Sequence, residues 1–330
     1  MTSPTLVWPH GLLSPAESLE IAQQAPKFIH SKPISYSTSP LSVLLGTTES
    51  PDVWASYENL LIACLRTGDD ESAQKIIERL TKRFGDSNER VMALQGLVKE
   101  AKAESEAELD AILNGYLDIL RENEGSSLNI PIAKRRIALA RSLGRVSDAI
   151  SYAVKLLEVT PTDAEAWSEL GDMYLSQGLY GQAIYALEEV LILAPNAWNM
   201  YARLAEVQFM AGTAKGTDPA LAPKYLAESL KRFCRSIELC DNYLRGYYGL
   251  KTVTDYFIKE PVNIKAIKSD DSITLPDART INKLNETATA KLAEIVRRFS
   301  ANESGWTGYK EAEVAAAKAL LEGSEEKVVR

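Results

Sequence analysis

Histidine is almost missing from this chain. Only His10 and His30 occur, both near the start, so a serine–histidine triad, a histidine-rich zinc site or an imidazole base has nowhere else to be built. Cysteine is nearly as scarce. Cys64, Cys234 and Cys240 are too few and too scattered for a disulfide framework, and no Cys-x-x-Cys pair offers zinc or redox chemistry. Cys234 and Cys240 are six apart, which puts them on different sides of one helix, as core cysteines. Glycine-rich phosphate loops of either common pattern are absent. The longest uninterrupted apolar run, Leu60 to Leu65, has six residues, against the roughly 20 of a membrane span. No Lys or Arg precedes Lys27 and no apolar stretch follows the start, so no secretory signal is expected. Positive charge is in deficit too. The 37 Lys and Arg face 45 Asp and Glu, a formal charge of −8, without the basic footprint of a nucleic-acid binder. Those scattered acids single out no catalytic pair. The expectation is a soluble cytosolic protein, not an enzyme, using no cofactor and no metal.

What the chain has instead is helical periodicity. Half of its 14 prolines fall within the first 51 residues. Inside that stretch Ser14-Pro15-Ala16-Glu17 is a capping box with proline at the first helical position, opening a short helix to about Gln24. Residues 31–51 read as a polar connector. From Pro51 onward helix follows helix, with no convincing strand. Gly144, Gly178 and Gly212 recur every 34 residues, as do Ala149 with Ala183 and Pro161 with Pro195. A 34-residue helix–turn–helix period is the mark of the tetratricopeptide repeat.

The best copy reads Trp167-x-x-Leu170-Gly171-x-x-Tyr174, then Ala183-x-x-x-Leu187, then Pro195. Gly171 and Ala183 are small where two antiparallel helices approach. Trp167, Leu170 and Tyr174 share a helical face, with Leu187 opposite. Gly178 ends the first helix, Pro195 stops the second, and Thr162-x-x-Glu165 reads as the first helix's cap. Weaker copies cover 54–87, 88–129 and 130–163, and another starts at Trp198 with about 12 extra residues through Pro219 and Pro223. The expected fold is all-α: a tetratricopeptide-repeat superhelical solenoid of about five to six helix pairs with capping helices at both ends. Its divisions are an N-terminal capping helix and connector (1–53), the solenoid (54–259), an insertion (260–276), and C-terminal capping helices with a frayed tail (277–330).

Stacked pairs of this kind present a concave surface lined by first-helix residues. Lys134, Ala138, Arg141 and Arg145 fall at i, i+4, i+7 and i+11. No acid occurs between Asn129 and Ser147, whereas residues 100–124 hold eight acids and two bases. The basic stripe is read either as a solvated face partly neutralised by that acidic block, or as a patch that holds an acidic peptide. Arg203, Phe209 and Tyr248 complete the candidate partner-binding set, the aromatics serving as packing or as anchors. Two sequons, Asn285-Glu286-Thr287 and Asn302-Glu303-Ser304, are expected to be unused.

Two family resemblances follow. In co-chaperones that clamp acidic chaperone tails, Lys134 and Arg203 would match the clamp. Ala138, Glu169 and Asn199, however, stand where Asn, Asn and Lys belong. A cytosolic adaptor for acidic peptide tails is therefore the alternative reading. The whole-chain layout resembles the ER membrane protein complex subunit 2 family more closely. The resemblance rests on Ala25-Pro26-Lys27, Ala133-Lys134-Arg135-Arg136-Ile137-Ala138 and Glu165-Ala166-Trp167-Ser168-Glu169-Leu170. Tyr201-Ala202-Arg203-Leu204-Ala205-Glu206-Val207 and the insertion before Ala222-Pro223-Lys224-Tyr225-Leu226-Ala227 add to it. It implies a non-catalytic scaffold on the cytoplasmic face of the endoplasmic reticulum, organising an insertase for tail-anchored and multi-pass proteins. The implied partners are the cytosolic parts of subunits 3 and 5 and, in many lineages, a globular subunit 8 or 9. Membrane association would be indirect, through those partners.

Overall fold

A computed structural model describes residues 6–7, 13–31, 51–122, 129–260 and 276–325. The polar connector, nearly all of the 260–276 insertion and the residues after Glu325 lie outside that set. The described residues hold fifteen α-helices and no strand. In chain order they are α1 (Pro15–Ala22), α2 (Ala25–Ser31), α3 (Pro51–Thr67), α4 (Asp70–Phe84), α5 (Glu89–Lys102), α6 (Glu106–Glu122), α7 (Ile130–Ser142) and α8 (Val146–Val159). They continue as α9 (Ala164–Ser176), α10 (Tyr180–Leu193), α11 (Trp198–Thr213), α12 (Ala222–Leu239), α13 (Leu244–Lys259), α14 (Ala278–Ser300) and α15 (Glu311–Glu325). From α3 to α14 they form six consecutive helix pairs. The chain divides into two compact units, residues 1–152 and 153–330, with the division inside α8.

Local chemistry sets most boundaries. Ser14 caps α1 through a capping box in which Glu17 reaches back 2.7 Å to the Ser14 amide. That helix ends at Ala22, short of the expected Gln24. A new helix then begins at Ala25, because Pro26 sits in its first turn, where a missing N–H costs nothing. Gly144 and Gly178 have φ of +74° and +70°, the left-handed conformation that lets each chain reverse between paired helices. Gly212 breaks the pattern. It lies inside α11, and a Cβ there would sit 3.1 Å from the Ala222 carbonyl oxygen of α12. It is a close-approach glycine rather than a turn glycine, and α11 runs past the repeat's usual stop. Asp163, not Thr162, caps α9 by accepting from the Ala166 amide at 3.0 Å. The terminal helix runs through Gly323 to Glu325.

In the N-terminal unit Tyr57, Leu60, Leu61, Ile76 and Leu80 are fully buried between α3 and α4. Tyr57 packs edge-on against Phe28 of α2 at 5.0 Å, and its hydroxyl accepts from Arg79 at 2.8 Å. In the C-terminal unit, Leu187 of α10 lies beneath Gly171 of α9, where a Cβ would come within 3.1 Å of it. That meets the expected small-residue crossing. Ser229 and Ser236 of α12 are wholly buried and donate to the Ala205 and Trp198 carbonyls of α11, each at 2.7 Å. Phe233, Tyr247, Leu250, Leu292 and Ala317 join α12 through α15 in one core.

Asn285 belongs to that construction. Its amide donates to Asp255 at 2.7 Å and Thr254 at 2.9 Å, beside the 2%-exposed Lys251, which pairs with Asp255 at 3.2 Å. An amide held this way is unsuited to carry a glycan.

Candidate partner-binding groove

Arg203, Phe209 and Tyr248 converge in the C-terminal unit. They line a cavity of about 660 Å³ between α11 and α13, with Asp172 of α9 at one edge and Glu313 of α15 at another. The helical period explains the convergence. Arg203, Glu206 and Met210 recur at three and four along α11, as Arg245, Tyr248 and Thr252 do along α13, so each helix turns one face to the cavity. Phe209 is half-buried and meets Tyr256 edge-on at 5.7 Å, so part of its ring braces the wall. Tyr248 is half-buried with its ring toward the cavity.

The charges are paired within the rim. Arg203 contacts Asp172 at 2.8 Å and Glu206 at 2.6 Å, and Arg245 contacts Glu313 at 2.6 Å. Burial works against the Arg203 charge, but its bonds to Asp172 and Glu206 outweigh that and raise its pKa. The rim thus offers three carboxylates and two guanidinium groups around an aromatic floor. Both signs of charge are thus present at the rim. A bare carboxylate tail would meet Asp172 and Glu206 beside Arg203, which disfavours the acidic-tail clamp.

The basic stripe is arranged differently. α7 ends at Ser142, and Gly144 then reverses the chain, so Arg145 leaves the face that carries Lys134 and Arg141. Arg145 pairs with Asp110 at 2.6 Å and Glu106 at 3.7 Å. Arg135 pairs with Glu100, which also accepts from Tyr116 at 2.5 Å, while the Arg136 guanidinium stacks 3.6 Å above the Tyr152 ring. Acids of α5 and α6 therefore meet Arg135 and Arg145, as the acidic block 100–124 suggested. Lys134 is half-buried and Arg141 exposed on α7, and neither lines the groove.

Among the repeat positions, Leu170, Gly171, Ala183 and Leu187 are buried, whereas Trp167 and Tyr174 are half-buried. Trp167 does not close over Leu187 as expected. Its ring meets Tyr185 edge-on at 6.0 Å and its Nε1 donates to the Pro161 carbonyl at 2.9 Å. Pro195 follows the end of α10 at Leu193. Sequence reasoning missed Arg245 and Glu313, which lie 68 residues apart. No local spacing could signal that pairing; only the fold of α15 back onto α13 creates it.

Paired helices on a 34-residue period, left-handed turn glycines and an aromatic-floored groove define a tetratricopeptide-repeat scaffold, a non-catalytic protein-interaction fold. A family model described as the EMC2 TPR-like repeat domain matches residues 84–223. The match includes Lys134 through Phe209 and stops short of Tyr248. TPR repeat protein oca3 of Schizosaccharomyces pombe is 31% identical over 245 residues, 73% of this chain and 82% of that one. ER membrane protein complex subunit 2-A of Xenopus laevis is 30% identical over 67% of this chain and 68% of that one. The Saccharomyces cerevisiae subunit 2 is 24% identical over 58% and 65% respectively. The chain belongs to the ER membrane protein complex subunit 2 family.

Proposed function

We propose that this chain is the tetratricopeptide-repeat scaffold subunit of an ER membrane protein complex. In this reading it sits peripherally on the cytoplasmic face of the endoplasmic reticulum. It holds together an insertase for tail-anchored and multi-pass proteins, and the insertion chemistry belongs to membrane-embedded partners. The cytosolic parts of subunits 3 and 5, with a globular subunit 8 or 9, are the partners. Kinship over two thirds of the Xenopus subunit carries the proposal. It is supported by the finding that no described helix is long and apolar enough to cross a membrane.

The groove between α11 and α13 supplies a contact. An extended partner segment would set an aliphatic or aromatic side chain against Phe209 and Tyr248 and exchange charges with the Arg203 and Arg245 pairs. The test is a tagged pull-down from detergent-solubilised membranes, read by mass spectrometry, with wild type and Arg203→Glu/Tyr248→Ala compared. Wild type should co-purify the other complex subunits, and the double variant should lose at least one of them about tenfold while its melting curve stays within a few degrees. Recovery of wild type without any other subunit would sink the proposal. Equal recovery by the double variant would remove the groove from it.

A further inference from the structure

The C-terminal unit carries a second groove that the scaffold reading does not use. It has a volume of about 500 Å³ and is lined by Val154, Leu157 and Glu158 of α8, Trp167 and Tyr174 of α9, and Tyr185 of α10. The first groove is walled by first helices of the repeats; this one opens between two second helices. Tyr185 is 58% exposed although its ring meets Trp167 edge-on, so it leaves aromatic surface uncovered. Seven residues on, along the same face of α10, Ile192 is 70% exposed, and Val159 at the end of α8 is 61% exposed. By the 34-residue period Glu158 and Ile192 are equivalent positions of successive second helices, so Val159 and Ile192 lie toward the same end of that helix layer.

The charge along it is mainly negative, exposed Lys155 being the one base between Val154 and Ala202. From Leu156 to Ala202 there is no Lys, Arg or His, while Glu158, Asp163, Glu165, Glu169, Asp172, Glu188 and Glu189 supply seven acids. Asp163 caps α9, Asp172 pairs with Arg203, and Glu188 reaches Arg232 at 3.6 Å. Glu158 lines the groove itself, and Glu189 lies within reach of the Tyr185 hydroxyl. Such a surface repels anionic lipid headgroups and nucleic acid phosphates.

We infer that this groove docks a basic amphipathic helix of a protein partner. One apolar side chain of the helix sits over the Trp167–Tyr185 pair, and its Lys or Arg side chains face Glu158 and Glu189. A helix laid along α10 would present anchors at i and i+7 to Tyr185 and Ile192. Its cations would supply the positive charge that this stretch lacks.

The probe is a fluorescein-labelled peptide of about 18 Leu and Lys residues in helical amphipathic order, with a scrambled peptide of the same composition as control. Anisotropy titrations use the full chain. Wild type should bind the ordered peptide and not the scrambled one, more weakly as salt rises. Glu158→Lys/Tyr185→Ser should weaken binding at least about tenfold, with both changed side chains exposed and the melting curve therefore kept. Glu286→Lys, an equal change of charge on exposed α14, should bind as wild type does. No binding by wild type, equal binding by the double variant, or equal weakening by Glu286→Lys would each overturn the inference. None of these variants touches the Arg203 groove, so the pull-down of the proposed complex succeeds or fails independently.

Discussion

Two glycines show how strongly single positions differ in this molecule. At Gly171 an added methyl would lie 3.1 Å from Leu187 Cγ, and at Gly249 it would lie 2.0 Å from the Phe233 ring. Leu187 can give by a few tenths of an ångström, and alanine is the better helix former by about 1 kcal/mol, so Gly171→Ala should be near neutral. Phe233 is a buried ring and cannot yield without disturbing the core around Leu250. Gly249→Ala should cost about 1–3 kcal/mol in urea unfolding. A loss for Gly171→Ala as large as for Gly249→Ala would refute the helix spacing. Cys64 makes a different residue-scale point. Burial, then the adjacent Asp69, push its thiol from 9.0 to about 12, so it stays protonated and unreactive at neutral pH. Burial and Asp241 likewise raise Tyr247 to about 12. Between about pH 9 and pH 12 the unfolded chain releases these protons and the folded chain keeps them, so stability must fall as pH rises through that window. Each group contributes at most about 1.4 kcal/mol per pH unit. Cys64→Ala should flatten that slope in denaturant titrations, whatever its effect on absolute stability. An unchanged slope would count against the buried thiol.

At the level of helices, caps and pairings decide the outcome. Asp163→Ala should cost about 1 kcal/mol, because the Ala166 amide loses its acceptor, whereas Thr162→Ala should cost almost nothing. The reverse ranking in thermal melts would restore the sequence-based cap. Trp167→Ala should cost about 2 kcal/mol rather than the 3–5 of a buried tryptophan, because its ring stands half-exposed against Tyr185. These helices were largely legible beforehand: a 34-residue spacing of Gly144 and Gly178 located two turns, and Ser14 announced its helix start. Gly212 misled because its spacing matches a turn while its role is set by Leu226 and Ala222 across the crossing, which no single-helix pattern records. The basic stripe misled for a related reason. A helical wheel extends past Ser142, but the helix does not. The groove was half legible: periodicity marks Arg203, Phe209 and Tyr248 as first-helix residues, yet Asp172, Arg245 and Glu313 join them only through tertiary packing.

For the whole molecule, the two compact units each have an interior of their own. Long stacks of repeats lose all-or-none unfolding. Calorimetry should accordingly give a measured enthalpy larger than the van't Hoff value, and equality of the two would show that the units melt as one. At this scale the two grooves also acquire distinct meanings. One has mixed charge and belongs to first helices; the other is acidic and belongs to second helices. One protein could thereby grip two unlike segments at once, which is what holding an assembly together requires.

α15 carries a lesson for inheritance. It comes after every repeat, yet Glu313 completes the groove by gripping Arg245, Tyr309 just before the helix reaches back to the Asn242 carbonyl at 2.7 Å, and Ala317 is wholly buried beside Leu292. A premature stop codon at Lys310 would leave all six helix pairs encoded while stripping one wall from the groove and the cover from the end of the stack. Lateness in the reading frame therefore does not make such an allele mild. It should behave as a recessive loss of assembly, with its product handed to the degradation machinery, whereas a missense change at exposed Glu286 would pass unnoticed in the same cross.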